Sequence, residues 1–415
     1  MSKPAIARLR ERRARKHAIM QSAPLSRSDR KSATSHDSTD LTKCEDVLSL
    51  AANDVEHGGL VAENRNVKLV YLTMASALTE KPVSLVIKGD SGSGKSAIVD
   101  AVRALFPEDA YLEVTVMSKR WLNYARDLAH RTLIIKEAPA VSGELQDLQT
   151  RELLSSGCLI NRTVRGGKEV VEKTEGPTGM ITTTTATRLH EEIETRVLSL
   201  KILNIPERTK RILIKQAERR RPVEVDYTGW HQLYVWLKAH MRPVHVPFGH
   251  QLAKLVRPDR TRVHRDFEHV QTLVETHALL HQLNRKSDRS GTIIAEIRDY
   301  EMVYKLVHRL ISENAESDVR ADIRQTVQAV TKLVAKGRPV STTDVAAELQ
   351  MPLSTASRRL TRAAKAGFVR KHNNGRGPAD WRLANPLPGV TEVLPAPDRV
   401  AAAYAKRRRC RRTKS

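Results

Sequence analysis

Residues 83–98 read VSLVIKGDSGSGKSAI, and no other stretch restricts the fold of this chain as tightly. Val83 to Ile87 is the kind of apolar, β-branched run that makes a buried strand. From Lys95 onward, Ile98, Val99, Ala101, Val102 and Leu105 recur at helical spacing, and Pro107 follows their end. Between strand and helix lies the spacing GxxxxGK[ST], filled by Gly89, Gly94, Lys95 and Ser96. Gly89, Gly92 and Gly94 let the backbone turn its N–H groups inward with no side chain in the way. The positive end of the helix dipole faces the same point. Lys95 adds a full charge for β- and γ-phosphates, and Ser96 adds a hydroxyl for Mg²⁺. The loop Gly89, Asp90, Ser91, Gly92, Ser93, Gly94, Lys95 and Ser96 is therefore expected to hold ATP. Asp90 is its odd member, because a carboxylate beside phosphates weakens binding by like-charge repulsion.

Hydrolysis needs a second strand that brings acid to the metal and to water. In RTLIIKEAPA, residues 131–140, Leu133 to Ile135 form that strand and Glu137 lies just beyond it, placed to orient the attacking water. The preceding position normally holds an Asp that steadies Mg²⁺ through its water shell, and here it is Lys136. GELQDLQTRELLSSG reads as a helix closed by Gly157. CLINRTVRGGKEVVEKTEG predicts a β-hairpin turning at Gly166 and Gly167, with Arg165 and Lys168 beside the tip as DNA contacts. GMITTTTATRL gives a further strand ending at Thr182 to Thr185, where Thr184 is the candidate to touch the γ-phosphate or the lytic water. In EEIETRVLSLKI, Arg196 stands just before a last apolar strand. It reads equally as a surface salt bridge or as a charge offered to a neighbouring subunit's γ-phosphate.

A chain of 415 residues has room for two or three domains. Its 71 Lys and Arg against 47 Asp and Glu give +24, which points to a polyanionic partner. Both ends are basic, SKPAIARLRERRARKH and KRRRCRRTKS, and residues 1–45 and 386–415 are expected to be basic disordered tails that touch nucleic acid without sequence preference. Cys44, Cys158 and Cys410 lie too far apart for a zinc spacing or a disulfide framework, which fits a reduced, cytoplasmic setting. No apolar run approaches membrane-spanning length. His277 and His281 have i,i+4 spacing, read as a helix face rather than a metal site.

The core is expected over 46–205 and a helical lid over 206–315, where Arg262 and Arg265 in TRVHRDF are candidates for a lid arginine on the phosphates. The rings of GWHQLYVWL read as packing rather than base stacking. Over 316–385, three helices are followed by strand, turn and strand, which reads as a winged helix-turn-helix. In its third helix Ser354 is the expected N-cap and Leu360, Ala364 and Phe368 the inward face. That leaves Ser357, Arg358, Arg362 and Lys365 for the major groove, with Arg376 at the wing tip. From Arg320 to Arg382 there are 13 Lys and Arg against 4 Asp and Glu, a net +9 that favours DNA.

GDSGSGKS, RTLIIKEA, GPTGMITTTTATRLH, ETRVLSL, RDFEHVQTLVETHALLHQLNR and the closing wing together resemble bacterial mobile-element ATPases of phages and plasmids. Those proteins are often labelled DNA primase-associated or helicase-like, and the likeness runs from about residue 65 to 395. It implies an α/β fold: a P-loop NTPase core of AAA+ type with a parallel sheet, an inserted β-hairpin, a helical lid and a C-terminal winged helix. It implies ATP and Mg²⁺ as ligands, DNA as partner, a homo-oligomer such as a ring, and a separate primase or other replication protein nearby. In the superfamily 3 and minichromosome-maintenance helicases a hairpin inserted before this strand grips DNA in the pore. The expectation is an ATP-hydrolysing helicase or helicase loader with catalytic residues Lys95, Glu137 and Arg196. A winged-helix transcription regulator using ATP as a ligand or slow switch is the alternative, and a transposition or packaging ATPase is a third.

Overall fold

The computed structural model describes residues 41–114, 122, 125, 127–136, 152–153, 157–166, 168–186, 191–218, 225–257, 262–317, 321–337, 339–372, 380–384 and 392–412. Along the chain, α1 (Val47–His57) and α2 (Asn64–Ala75) precede β1 (Leu85–Lys88), and α3 (Lys95–Arg103) leads to β2 (Tyr111–Val114) and β3 (Arg131–Ile135). β4 (Cys158–Arg165) and β5 (Lys168–Glu175) come before β6 (Thr178–Thr184), α4 (Glu191–Glu194) and β7 (Leu198–Lys201). Then follow α5 (Pro206–Ala217), α6 (Thr228–Ala239), β8 (Val244–His245), α7 (Gly249–Leu255), α8 (Val263–Leu280), β9 (Ile293–Ile294) and α9 (Ile297–Ser317). The chain ends with α10 (Ala321–Val334), α11 (Thr342–Glu348), α12 (Leu353–Lys365), β10 (Val369–His372), β11 (Asp380–Leu383) and α13 (Pro397–Arg412).

The centre is a five-stranded sheet in the order β2-β3-β6-β1-β7, with every neighbouring pair parallel. Its inner strands are buried on both faces, which is why LVI, LII and MI are continuous apolar runs rather than alternating ones. Leu85 and Ile87 face one core, and Val86 packs with Met180, Ile193 and Val197 on the other side. Because the strands are parallel, their carboxyl ends share one edge.

The sheet and the helical region after residue 206, expected as a lid packed beside it, share apolar packing. One core joins α1, α2 and β1 to α6, α8 and α9. Trp230 and Tyr234 of α6 pack edge-on against Tyr71 and Phe106, and the buried Trp230 indole donates to Asp54 at 2.8 Å. The rings of GWHQLYVWL are thus packing residues, with Trp230, Leu233, Tyr234 and Leu237 all buried.

Within the stretch 386–415, expected to be a disordered tail, residues 392–412 are ordered. Val393, Leu394 and Val400 are buried in the main core, the Tyr300 hydroxyl donates to the Pro395 carbonyl at 2.7 Å, and α13 packs on α7 and α9. Arginine density hid a short apolar anchor: VLPAPDRVAAAYA precedes the charged run and supplies the burial. At the other end, Leu41 is already buried, so ordered packing begins within the stretch expected to be tail.

Residues 321–383 have their own core of Ile323, Val327, Val330, Val345, Leu360, Ala363, Val369 and Trp381. Ser341 caps α11 in a capping box with Asp344. α12 is entered from Pro352, not capped by Ser354, which lies inside the helix. Its buried face is Ala356, Leu360 and Ala363, with Ala364 and Phe368 only half-buried, so the 3–4 spacing starts one turn earlier than expected.

His277 and His281 do lie on one helix face, and that face is inside. His277 Nδ1 meets Asp299 at 2.7 Å and Arg285 donates to the same carboxylate at 2.6 Å. Burial works against ionisation of Asp299, but the hydrogen bonds from His277 and Arg285 outweigh it and hold its pKa at about 2. His281 donates through Nδ1 to the His277 carbonyl at 2.8 Å, and burial with the neighbouring His277 lowers its pKa to about 4. Among the described residues no group of three or more His, Cys, Asp and Glu could hold a metal, and no helix is long and apolar enough to cross a membrane.

The depressed His281 pKa has a definite sign. Below about pH 6.5 the unfolded chain takes up a proton that the folded chain refuses until about pH 4. Stability is therefore expected to fall across that window as pH drops, by at most about 1.4 kcal/mol per pH unit from this group. Urea denaturation of wild type and His281→Asn at a series of pH values checks it, and an unchanged slope in the variant would refute the assignment.

Candidate phosphate-loop site

The loop Gly89–Ser96 leaves the carboxyl end of β1, between β6 and β7, and enters α3 at Lys95. Lys88 is paired in register with Thr184 and with Lys201, so the loop begins level with the ends of both neighbours. Gly92 and Gly94 take φ values of +77° and +85°, the left-handed region that glycine enters without strain. A Cβ on Gly89 would meet the Ile202 carbonyl at 2.8 Å and Ser93 Oγ at 2.9 Å, so the chain approaches β7 too closely for any other residue. A Cβ on Gly92 would meet nothing within 4 Å, which leaves open space over the loop's centre.

Lys95 is buried, and its Nζ donates to the carbonyls of Gly89 and Asp90 at 2.8 and 2.7 Å. Ser96 and Gly94 are half-buried, while Asp90, Ser91 and Gly92 are exposed. The Asp90 side chain therefore stands in solvent, which blunts the repulsion expected from it. Ser93 is buried with an unpartnered Oγ.

The arginine that reaches this loop is Arg208, which the sequence reading did not single out. Neither Arg262 nor Arg265 lies there: Arg262 donates to the Val197 carbonyl and to Asp266, and Arg265 to Thr195. Arg208 is the one buried residue of α5, its Nη2 donates to the Ser93 carbonyl, and its Nε is buried without a partner.

Lys136 is pinned rather than loose at the end of β3. Its Nζ lies 2.6 Å from Asp100 of α3 and 2.7 Å from Glu113 of β2, and Glu113 also pairs with Arg103. Desolvation opposes its charge, yet the hydrogen bonds to Asp100 and Glu113 raise the Lys136 pKa above its ordinary value. The same bond from Lys136, against desolvation, lowers that of Glu113. Glu137 falls outside the described residues, as does Arg376.

Thr184 is buried at the end of β6, and its Oγ1 accepts from the Ala186 N–H at 3.1 Å. Arg196 stands before β7, at the amino end of the sheet, so the length of that strand, about 13 Å, separates it from its own loop. Arg165 and Lys168 form the last pair of the β4–β5 ladder next to Gly166, whose φ is +58°. The hairpin's outer face exposes Ile160, Val164 and Val171 among Arg162, Glu169 and Lys173. On α12, Arg358 and Lys365 are exposed, and Arg362, also exposed, meets Asp322 at 3.1 Å.

No family model and no curated protein matches this chain.

What the loop offers an anion is glycines at positive φ, open space above Gly92, and two cations, Lys95 and Arg208, whose donors end on loop carbonyls. Ser96, the hydroxyl expected for Mg²⁺, is half-buried in the first turn of α3.

Gly89→Ala is expected to destabilise the fold by about 1–3 kcal/mol, because backbone rather than a mobile side chain blocks the added methyl. Gly229→Ala, with its nearest neighbour at 3.7 Å inside α6, is expected to be neutral or slightly stabilising. Chemical denaturation of both variants separates them, and equal midpoints would be the contrary result.

Proposed function

We propose that the chain is an ATP-binding and ATP-hydrolysing DNA-binding protein, a helicase or helicase loader acting in replication of a mobile element. The observation that carries this reading is the glycine loop at the carboxyl end of β1 with buried Lys95 at the start of α3. It fits a P-loop, and the parallel sheet fits the nucleotide-binding core of AAA+ type.

In this reading Lys95 and the loop N–H groups bind the β- and γ-phosphates, and Arg208 adds a second charge from α5. Mg²⁺, when bound at Ser96, supplies charge neutralisation between the phosphates. Thr184 is the polar contact to the γ-phosphate or lytic water, and Glu137 orients that water. Arg196 serves a neighbouring subunit's site rather than its own, which the strand length between it and its own loop supports. Such a role makes the working form a homo-oligomer, a ring if the contact closes.

DNA is the second partner. The three helices and two-stranded sheet of 321–383 fit a winged helix, with Arg358, Arg362 and Lys365 of α12 toward the major groove and Arg376 at the wing. Arg165 and Lys168 at the hairpin tip are the residues proposed to grip the strand that is moved. A primase or other replication protein would act beside it.

One observation favours the alternative, a transcription regulator that uses ATP as a ligand or slow switch. Lys136 is fastened by two carboxylates where a metal-steadying Asp is expected, and a weak metal site favours binding over turnover.

ATP turnover by the purified chain, alone and with single- or double-stranded DNA, decides between them. DNA-stimulated hydrolysis is expected, lost in Lys95→Ala and lowered on the order of 10²-fold in Arg208→Ala. Tight nucleotide binding with no turnover on any DNA would hand the lead to the regulator.

A further inference from the structure

We infer that α13 is a second nucleic-acid site, a phosphate-binding helix mounted on the main core and independent of the 321–383 unit. It rests on the reading above only in taking DNA as the partner.

The helix divides into two halves of opposite design. Residues 397–405, PDRVAAAYA, carry one Asp and one Arg and hold the helix down: Val400 is buried in the main core and Tyr404 packs against Phe248. Residues 406–412, KRRRCRR, carry six cations and no acid, and the helix continues through them to Arg412. At about 100° per residue, six cations in seven helical positions leave no room in the sequence pattern for an apolar stripe. A protein groove reads one face of a helix. The major groove of a duplex admits a whole helix and places phosphates on both flanks. Cations at a helix carboxyl end also complement the dipole, so the charge does not unwind its own support.

An anionic membrane surface suits the same charges less well. Interfacial helices need an apolar face for the bilayer, and the large apolar residues of α13, Val400 and Tyr404, are spent on the core, leaving only alanines such as Ala402 and Ala405 exposed. The anchor also removes the main cost of binding through a charged tail, which is the ordering of a free chain. A site of this kind holds DNA without sequence preference and keeps it against the core while the 321–383 unit engages elsewhere.

The test is anisotropy of a fluorescent random-sequence duplex, titrated with the full chain over a range of salt. One variant carries Lys406→Gln, Arg407→Gln, Arg408→Gln, Arg409→Gln, Arg411→Gln and Arg412→Gln; glutamine keeps helix propensity and leaves the anchor intact. A second ends after Ala405, and a third carries Arg358→Gln, Arg362→Gln and Lys365→Gln. Each phosphate contact contributes about 0.9 to the slope of log affinity against log salt, so the first two variants are expected to lose about 3 or more from that slope. Their affinity at physiological salt should fall at least about tenfold. An unchanged slope in both would overturn the inference, and if the third variant then lost binding, the DNA-binding role of the 321–383 unit would still stand. Loss in the first two with none in the third would support α13 and count against that unit. Absence of duplex binding by the wild-type chain would overturn both.

Discussion

The hydrogen bond from the Ile202 N–H to the Lys88 carbonyl, 2.8 Å long, fixes β7 against β1 at the point where the chain turns into the glycine loop. The loop's shape follows from it. Gly89 lies so close to Ile202 that only a hydrogen fits, and the chain then lifts away through Gly92 and Gly94 into α3. The same strand end leads to α5, whose single buried residue reaches back to the Ser93 carbonyl. One edge of one sheet thus sets the loop, its lysine and its arginine, and a shift of β7 would move all three.

The parallel sheet and the loop were legible because local pattern and tertiary role coincide there. A strand buried on both faces has to be continuously apolar, and a turn lined by backbone N–H groups has to be rich in glycine. Arg208 was not legible. Nothing in PERTKRILIKQA distinguishes it from Lys210 or Arg211, and only the packing of α5 beside the loop gives it its place. Arg262 and Arg265 failed for the converse reason: their spacing suited a lid, but the turn at Thr195 to Val197 took their hydrogen bonds. The buried His277, Asp299 and Arg285 network combines residues 14 and 22 positions apart and leaves no local signature.

Composition misled at the carboxyl end. Six cations in seven residues outweigh a handful of apolar ones in any average, yet Val393, Leu394 and Val400 decide whether the segment docks. Burial is settled by a few residues at the right spacing, whereas charge density reports on the partner outside. Lys136 carries the same lesson at smaller scale. Read alone it is a missing acid, while in place it is one member of a four-residue cluster with Asp100, Arg103 and Glu113.

The contact between Tyr300 and Pro395 spans 95 positions of sequence, and the whole 321–383 unit lies inside that span. During synthesis the main core therefore stays open along α7 and α9 until the unit has been made. Closing a long, slack chain costs more entropy than closing one already shortened by a folded unit in its middle. The 321–383 unit, with a core of its own, can form before that closure, and the arrival of α13 then covers the apolar surface of α7 and α9.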